Sequence, residues 1–107
     1  MGYVYLILQI DENGDELHKI GISKNPPEKR LKQLQTGNPN QIFILNFYES
    51  LRYKKVEQWL HGRFSWKKTL AKNEWFKLSD EEVFSFLDEC KKAEATFDIL
   101  KDNPFFK

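Results

Sequence analysis

The sequence predicts an α+β fold, a small three-stranded, mainly antiparallel sheet flanked by helices in the order β-β-α-β-α plus a C-terminal helix. Three observations carry this. Tyr3 to Ser23 reads as two apolar strands joined by a polar turn, and Ile42 to Tyr48 is an apolar run rich in β-branched and aromatic residues. Between and after them, apolar residues recur at helical spacing behind recognisable start signals. At 107 residues the chain is long enough for one modest core. Residues 1–78 read as a functional core, and 79–107 as a helix and tail packed on the same single domain.

In the first strand Tyr3, Tyr5 and Ile7 point to one side and Val4, Leu6 and Leu8 to the other. Asn13-Gly14 supplies the positive φ that tight hairpins need. The second strand sets Lys19 beside Ile20-Gly21, a charge inside an otherwise buried-looking stretch. Two tyrosines and a lysine on one hairpin can work on a phosphate, and they equally suit a surface hairpin with packing tyrosines. The geometry discriminates. A two-residue loop at Asn13-Gly14 puts Tyr5 and Lys19 on opposite faces, whereas a shared role requires an odd loop or a bulge.

Asn25-Pro26-Pro27-Glu28 opens a helix that runs to about Thr36, with Asn25 as cap, Leu31 and Leu34 as apolar stripe, and Arg30 bordering the stripe. Gly37 and Asn38-Pro39 stop it. The run from Ile42 to Tyr48 predicts a strand buried on both faces at the centre of the sheet. Ser50 then caps a helix to Phe64, with Tyr53, Val56, Leu60 and Phe64 inward. Tyr53, Glu57 and His61 form a polar line along that apolar helix. A carboxylate there is costly unless it is salt-bridged or holds a metal. Lys67, Lys68 and Lys72, with Trp66 among them, make a basic loop suited to phosphate contacts, and Lys54 and Lys55 add charge on the preceding helix. Asn73-Glu74 leads into Trp75-Phe76, which with Leu78 closes the core as a short extended piece. Ser79 and Glu82 form a capping box. Val83, Leu87, Cys90, Ala93 and Phe97 are the apolar face of the last helix.

Composition narrows the classes. The chain is 40% hydrophobic and 15% aromatic, as a packed globular domain requires. No apolar run reaches the roughly 20 residues of a membrane span, and no membrane partner is expected. Leu6 breaks the myristoylation pattern that Met1-Gly2 begins. A lone cysteine, Cys90, excludes an internal disulfide and a cysteine metal cluster, which fits a cytoplasmic or other reduced intracellular compartment. The net charge of +1 hides an asymmetry. Leu17 to Ser79 holds 13 Lys and Arg against four Glu, net +9, while Asp80 to Lys107 is net −4 from four Lys and eight acids. A basic body beside an acidic segment suits a polyanionic partner.

Taken together, these residues resemble the GIY-YIG nuclease superfamily, and most closely a short single-domain branch with K-I-G as the second motif. Tyr3-Val4-Tyr5 stands for G-I-Y and Lys19-Ile20-Gly21 for Y-I-G. Arg30 to Leu34, Glu57 to His61 and Glu74-Trp75-Phe76 match that branch in order. The resemblance covers about residues 3–78. Tyr3 replaces the family glycine and Lys19 the second tyrosine, and Leu34 stands where many members carry a polar side chain.

The resemblance implies a divalent-metal-dependent endonuclease that hydrolyses DNA by in-line attack of water, with RNA not excluded. One Mg²⁺ or Mn²⁺ would be held by Glu57, substrate phosphate and waters. Arg30 would pair with the phosphate. Tyr5 would position or deprotonate the water; its free pKa of about 10 must fall for it to act as base near neutrality, and Lys19 could supply the charge. His61 would orient Glu57 or transfer a proton. Tyr3, Asn73 and Glu74 are accessory candidates. With no recognition domain, specificity would come from a homodimer or a partner protein. The rival readings are a nucleic-acid-binding module that does not cut, and a protein-interaction domain using Phe105-Phe106 and the acidic helix.

Overall fold

Residues that alternate between two buried sides need a strand covered on both faces, and β1 (Gly2–Ile10) meets that need. The computed structural model describes residues 1–36, 40–65, 68–69 and 72–101, with backbone alone at 68–69 and 72–74. After β1 come β2 (Glu16–Ser23), α1 (Pro27–Gln35), β3 (Gln41–Ser50), α2 (Tyr53–Arg63), β4 (Lys68–Thr69), β5 (Lys72–Phe76), α3 (Asp80–Phe84) and α4 (Phe86–Leu100). The α+β expectation holds, with five strands rather than three. All neighbours pair antiparallel, in the order β3-β1-β2-β5-β4. The additional strands are the extended piece before Phe76 and a two-residue segment of the basic loop.

One face of the sheet, carrying Val4, Leu6, Ile20 and Phe76, packs on α2 and α4 through Val56, Leu60, Phe64, Phe86, Cys90 and Ala93. The other carries Tyr5, Ile7 and Ile42 and is covered by Leu31 and Leu34 of α1. Burying each large apolar side chain contributes about 1.5–3 kcal/mol.

Three expectations are corrected. First, β3 is an edge strand and β1 lies inside the sheet. Phe43, Leu45 and Phe47 are 46%, 39% and 44% exposed, so the apolar run is only half used. A bulge between Leu6 and Ile7 leaves Leu45 as the extra residue, which splits the run between the two faces. Second, Asn25 and Ser50 do not cap. Pro26 is the N-cap of α1 and Arg52 that of α2, neither with a side-chain cap bond. Ser50 stays in β3, accepts the Arg52 N–H at 2.9 Å, and bonds the Glu94 carboxylate. Third, the last helix is two. The Ser79–Glu82 capping box forms as expected, but the chain turns at Ser85, where the side-chain hydroxyl donates to the Glu82 carbonyl.

The acidic helix α4 is fixed to the basic body by ion pairs. Arg52 donates to Glu94 at 3.0 Å and Asp98 at 2.6 Å, and buried Glu89 faces Arg63 at 3.8 Å, with Lys92 of α4 itself at 3.5 Å. No helix among the described residues is long and apolar enough to cross a membrane.

Candidate active site

The hairpin turn decides which residues meet. Asp11 Oδ1 accepts the N–H groups of Asn13 (2.8 Å) and Asp15 (2.9 Å), while Asp11 N–H donates to the Asp15 carbonyl. Gly14 takes φ +81°, the left-handed conformation expected of it. The loop therefore spans the five residues between Ile10 and Glu16, an odd number, and sets Tyr5 opposite Gly21 and Ile7 opposite Lys19. Paired residues share a face, so Lys19, Tyr3 and Tyr5 all lie on the α1 side of the sheet.

Tyr5 is 2% exposed and its ring lies over Gly21. A Cβ on Gly21 would stand 2.6 Å from Tyr5 Cζ and closer still to its hydroxyl, so this ring position requires glycine there. On the same strand and face, Lys19 is half-buried and its Nζ lies 5.7 Å from the centre of the Trp75 ring. Lys19 and Trp75 are direct partners across the β2–β5 ladder.

Arg30 stands on α1, which packs over the same sheet face. Glu28 and Leu31 line a groove of about 450 Å³ against β3. Arg30 stands on the opposite flank of the helix by its 3.6-residue period, towards β2. Its Nη1 donates to Gln33 Oε1 at 3.2 Å, and its Nε is buried with no hydrogen-bond partner among the described residues. A buried unpaired guanidinium N–H costs free energy and suits an anionic acceptor.

Glu57 and His61 approach from the other layer. His61 Nε2 lies 2.8 Å from the Ile20 carbonyl and its ring meets Phe76 edge-on at 5.2 Å. A carbonyl only accepts, so Nε2 donates, and in the neutral ring Nδ1 is then the acceptor. Among the described residues β5 pairs with β2 at His18 and Lys19 alone, so His61 satisfies the strand edge where β5 departs. At the other end of α2 Tyr53 packs on Gly2, where a Cβ would stand 2.6 Å from its Cδ1. Gly2 lies beyond the Tyr3–Ser23 pair, so α2 runs along β2 from its Ser23 end towards Ile20. Glu57 lies between the two anchors along α2. It is half-buried and engaged in an interaction within the fold.

At Ile20–Gly21, Tyr5 and Lys19 thus lie on the α1 side of the sheet and His61 on the α2 side, with Glu57 one turn before His61 and Arg30 on the β2-facing flank of α1. Tyr3 shares the α1 side but donates its hydroxyl to Glu49, its cross-strand partner. That hydrogen bond, with some burial and the charges of Glu49 and Glu28, holds the phenol above its ordinary pKa. Lys55 is set apart, its Nζ 5.9 Å from the Phe97 ring of α4, and Lys54 lies 6.0 Å from the Tyr53 ring. Lys67 and the side chains of Lys68, Lys72, Asn73 and Glu74 fall outside the described residues, as do Phe105 and Phe106. Two contacts were not anticipated from the sequence. Gln33 touches Arg30, for which the i, i+3 spacing is a usable signal. Trp75 partners Lys19 and is only half-buried, although it read as core.

Comparison with known families decides what kind of domain this is. A family model described as the T5orf172 domain matches residues 2–91. The chain belongs to the T5orf172 domain family. No curated protein and no solved structure matches it. The T5orf172 domain stands in a nuclease-associated group, and membership supports a nuclease-like or DNA-binding role. The match takes in every residue at the Ile20–Gly21 edge and continues past residue 78 through α3 into α4.

The donor set of this T5orf172 domain bears on a metal. Among the described residues no three His, Cys, Asp or Glu side chains stand together as a metal cluster. Among the described residues the edge offers one carboxylate, Glu57. That excludes a zinc-type centre, with its three or four protein ligands, from the described residues. It fits a hard cation that keeps most of its shell as water and substrate phosphate.

Proposed function

We propose that this domain is a GIY-YIG-type endonuclease that hydrolyses phosphodiester bonds in DNA with one Mg²⁺ or Mn²⁺. The observation that carries the reading is the placement of Tyr5 and Lys19 on one sheet face around Gly21, with the unpaired Arg30 Nε on the flank above. An incoming phosphate finds two cationic side chains there, beside a phenol that can hold the attacking water. Family membership and the order of the motifs along the chain support the same reading.

In this proposal Arg30 binds the non-bridging phosphate oxygens and favours the charge that builds on them. Lys19 fills the role of the second family tyrosine by contacting the phosphate as a point charge. Tyr5 orients the water and, as the phenolate that the neighbouring charge of Lys19 favours, accepts its proton. Glu57 would hold the cation, which would supply charge stabilisation when bound. His61 acts as a positioning residue, because its Nε2 is committed to Ile20 and holds α2, and so Glu57, against the strand edge. A homodimer or a partner protein supplies sequence specificity.

The test is incubation of plasmid and branched duplex with the protein in Mg²⁺, Mn²⁺ or EDTA, alongside Glu57→Ala and Arg30→Ala. Cutting by the wild type alone, abolished by EDTA, supports the proposal. Binding that resists EDTA, with no cutting on any substrate, makes the domain a nucleic-acid-binding module. No retention even at low salt leaves a protein-interaction domain.

A further inference from the structure

We infer that Trp75 is a stacking platform for an unpaired base next to the scissile phosphate, so that the preferred substrate is single-stranded or locally unpaired. This rests on the proposed nuclease reading and adds the substrate class to it. α1 covers the β1–β3 half of its sheet face, through Leu31 and Leu34 on Tyr5, Ile7, Ile42 and Ile44. The β2–β5 half of that face carries half-buried Leu17, Lys19 and Trp75. Trp75 is therefore a half-buried ring on the functional face, the kind of amphipathic aromatic surface that interfaces use. Its direct strand partner is Lys19, at 5.7 Å from the ring centre. Lys19 in turn precedes Gly21 by two residues, about 6–7 Å along the strand. A phosphate held at Lys19 brings its own base to the Trp75 ring. In an intact duplex that base is stacked and paired, so only an unpaired or extruded base can use the ring.

A fluorescence titration tests this with Trp75 as the sole tryptophan, in a Trp59→Phe, Trp66→Phe background. The probes are a short single-stranded oligothymidylate and an abasic oligonucleotide of equal length and charge. The base-bearing strand is expected to quench Trp75 and bind about 5- to 150-fold more tightly, the range for one stacked base. Trp75→Leu, which keeps apolar volume, removes that preference, and Trp75→Phe retains most of it, with the affinities of these two variants read from the anisotropy of fluorescein-labelled copies of the same probes. Equal affinity for both probes without quenching overturns the inference while leaving the nuclease reading standing. Failure of both probes to bind while a duplex of equal length is retained at low salt overturns the inference alone, and failure of all three overturns the two together.

Discussion

Tyr5 faces Gly21 across the β1–β2 ladder and fills the space that a side chain at position 21 would need. The pair ties an element of the fold to an element of the candidate site, because the ring can lie over the strand only if that strand carries no Cβ there. Gly21→Ala should therefore cost about 1–3 kcal/mol, as overpacking does, and lower the Tm by roughly 4–20 °C. The check is a double-mutant cycle by thermal denaturation. Adding Tyr5→Ala should give a loss smaller than the sum of the two single losses, because the clash is gone.

Arg30 and Gln33 make a second prediction. Arg30→Lys keeps the charge and loses the planar fork, including the buried Nε. Cleavage should fall about 10²- to 10³-fold, as when one preorganised transition-state donor is removed, with circular dichroism unchanged. Gln33→Ala should give a much smaller loss in the same assay, since it only steadies Nη1.

Cys90 gives a prediction that does not involve the site. Burial pushes its thiol up to about 12, with the charges of Glu89 and Glu94 adding to the effect. Native protein at pH 8 should resist iodoacetamide and react once unfolded. The sign for stability follows. The unfolded thiol ionises from about pH 9 and the folded one only near 12, so stability is full below pH 9 and declines as pH rises above it. Cys90→Ala should flatten that alkaline decline in a pH series of melting temperatures.

The attachment of α4 is testable at acid pH. The hydrogen bond and charge of Arg52 hold the Asp98 carboxyl below its ordinary pKa. Its contribution is present above about pH 4 and lost as pH falls through the folded value. Arg52→Ala should raise hydrogen exchange in α4 at pH 7 and leave wild type and variant alike near pH 2. High salt should narrow the gap at pH 7, since the pair is largely exposed.

Much of this was legible in the sequence because it rests on period. The inward set Tyr53, Val56, Leu60 and Phe64 is buried as helical spacing requires, and the Ser79–Glu82 box forms. What was not legible depends on one-residue differences or on distant docking. Whether Lys19 shares a face with Tyr5 turned on the number of residues between Ile10 and Glu16. That number is set by Asp11 hydrogen bonds within the turn rather than by Asn13-Gly14 alone. The run from Ile42 to Tyr48 reads alike in a central strand and a half-exposed edge strand, and β5 docks on β2 rather than on β3. Trp75 read as core together with its aromatic neighbour Phe76, which is fully buried; alternation along β5 turns the two to opposite faces. Glu57 and His61 were legible as an i, i+4 pair, but the Ile20 carbonyl that holds His61 belongs to a strand 41 residues away.

The central claim is that the phenol over Gly21 acts in phosphodiester hydrolysis. The most direct measurement is the single-turnover cleavage rate of Tyr5→Phe against wild type, at saturating protein and with Mg²⁺ present. Phe preserves the buried ring and removes the hydroxyl alone. The rate should fall about 10²- to 10⁴-fold, the contribution of a positioned proton acceptor, with substrate affinity unchanged. A rate equal to wild type, from a folded and binding-competent variant, would contradict the account.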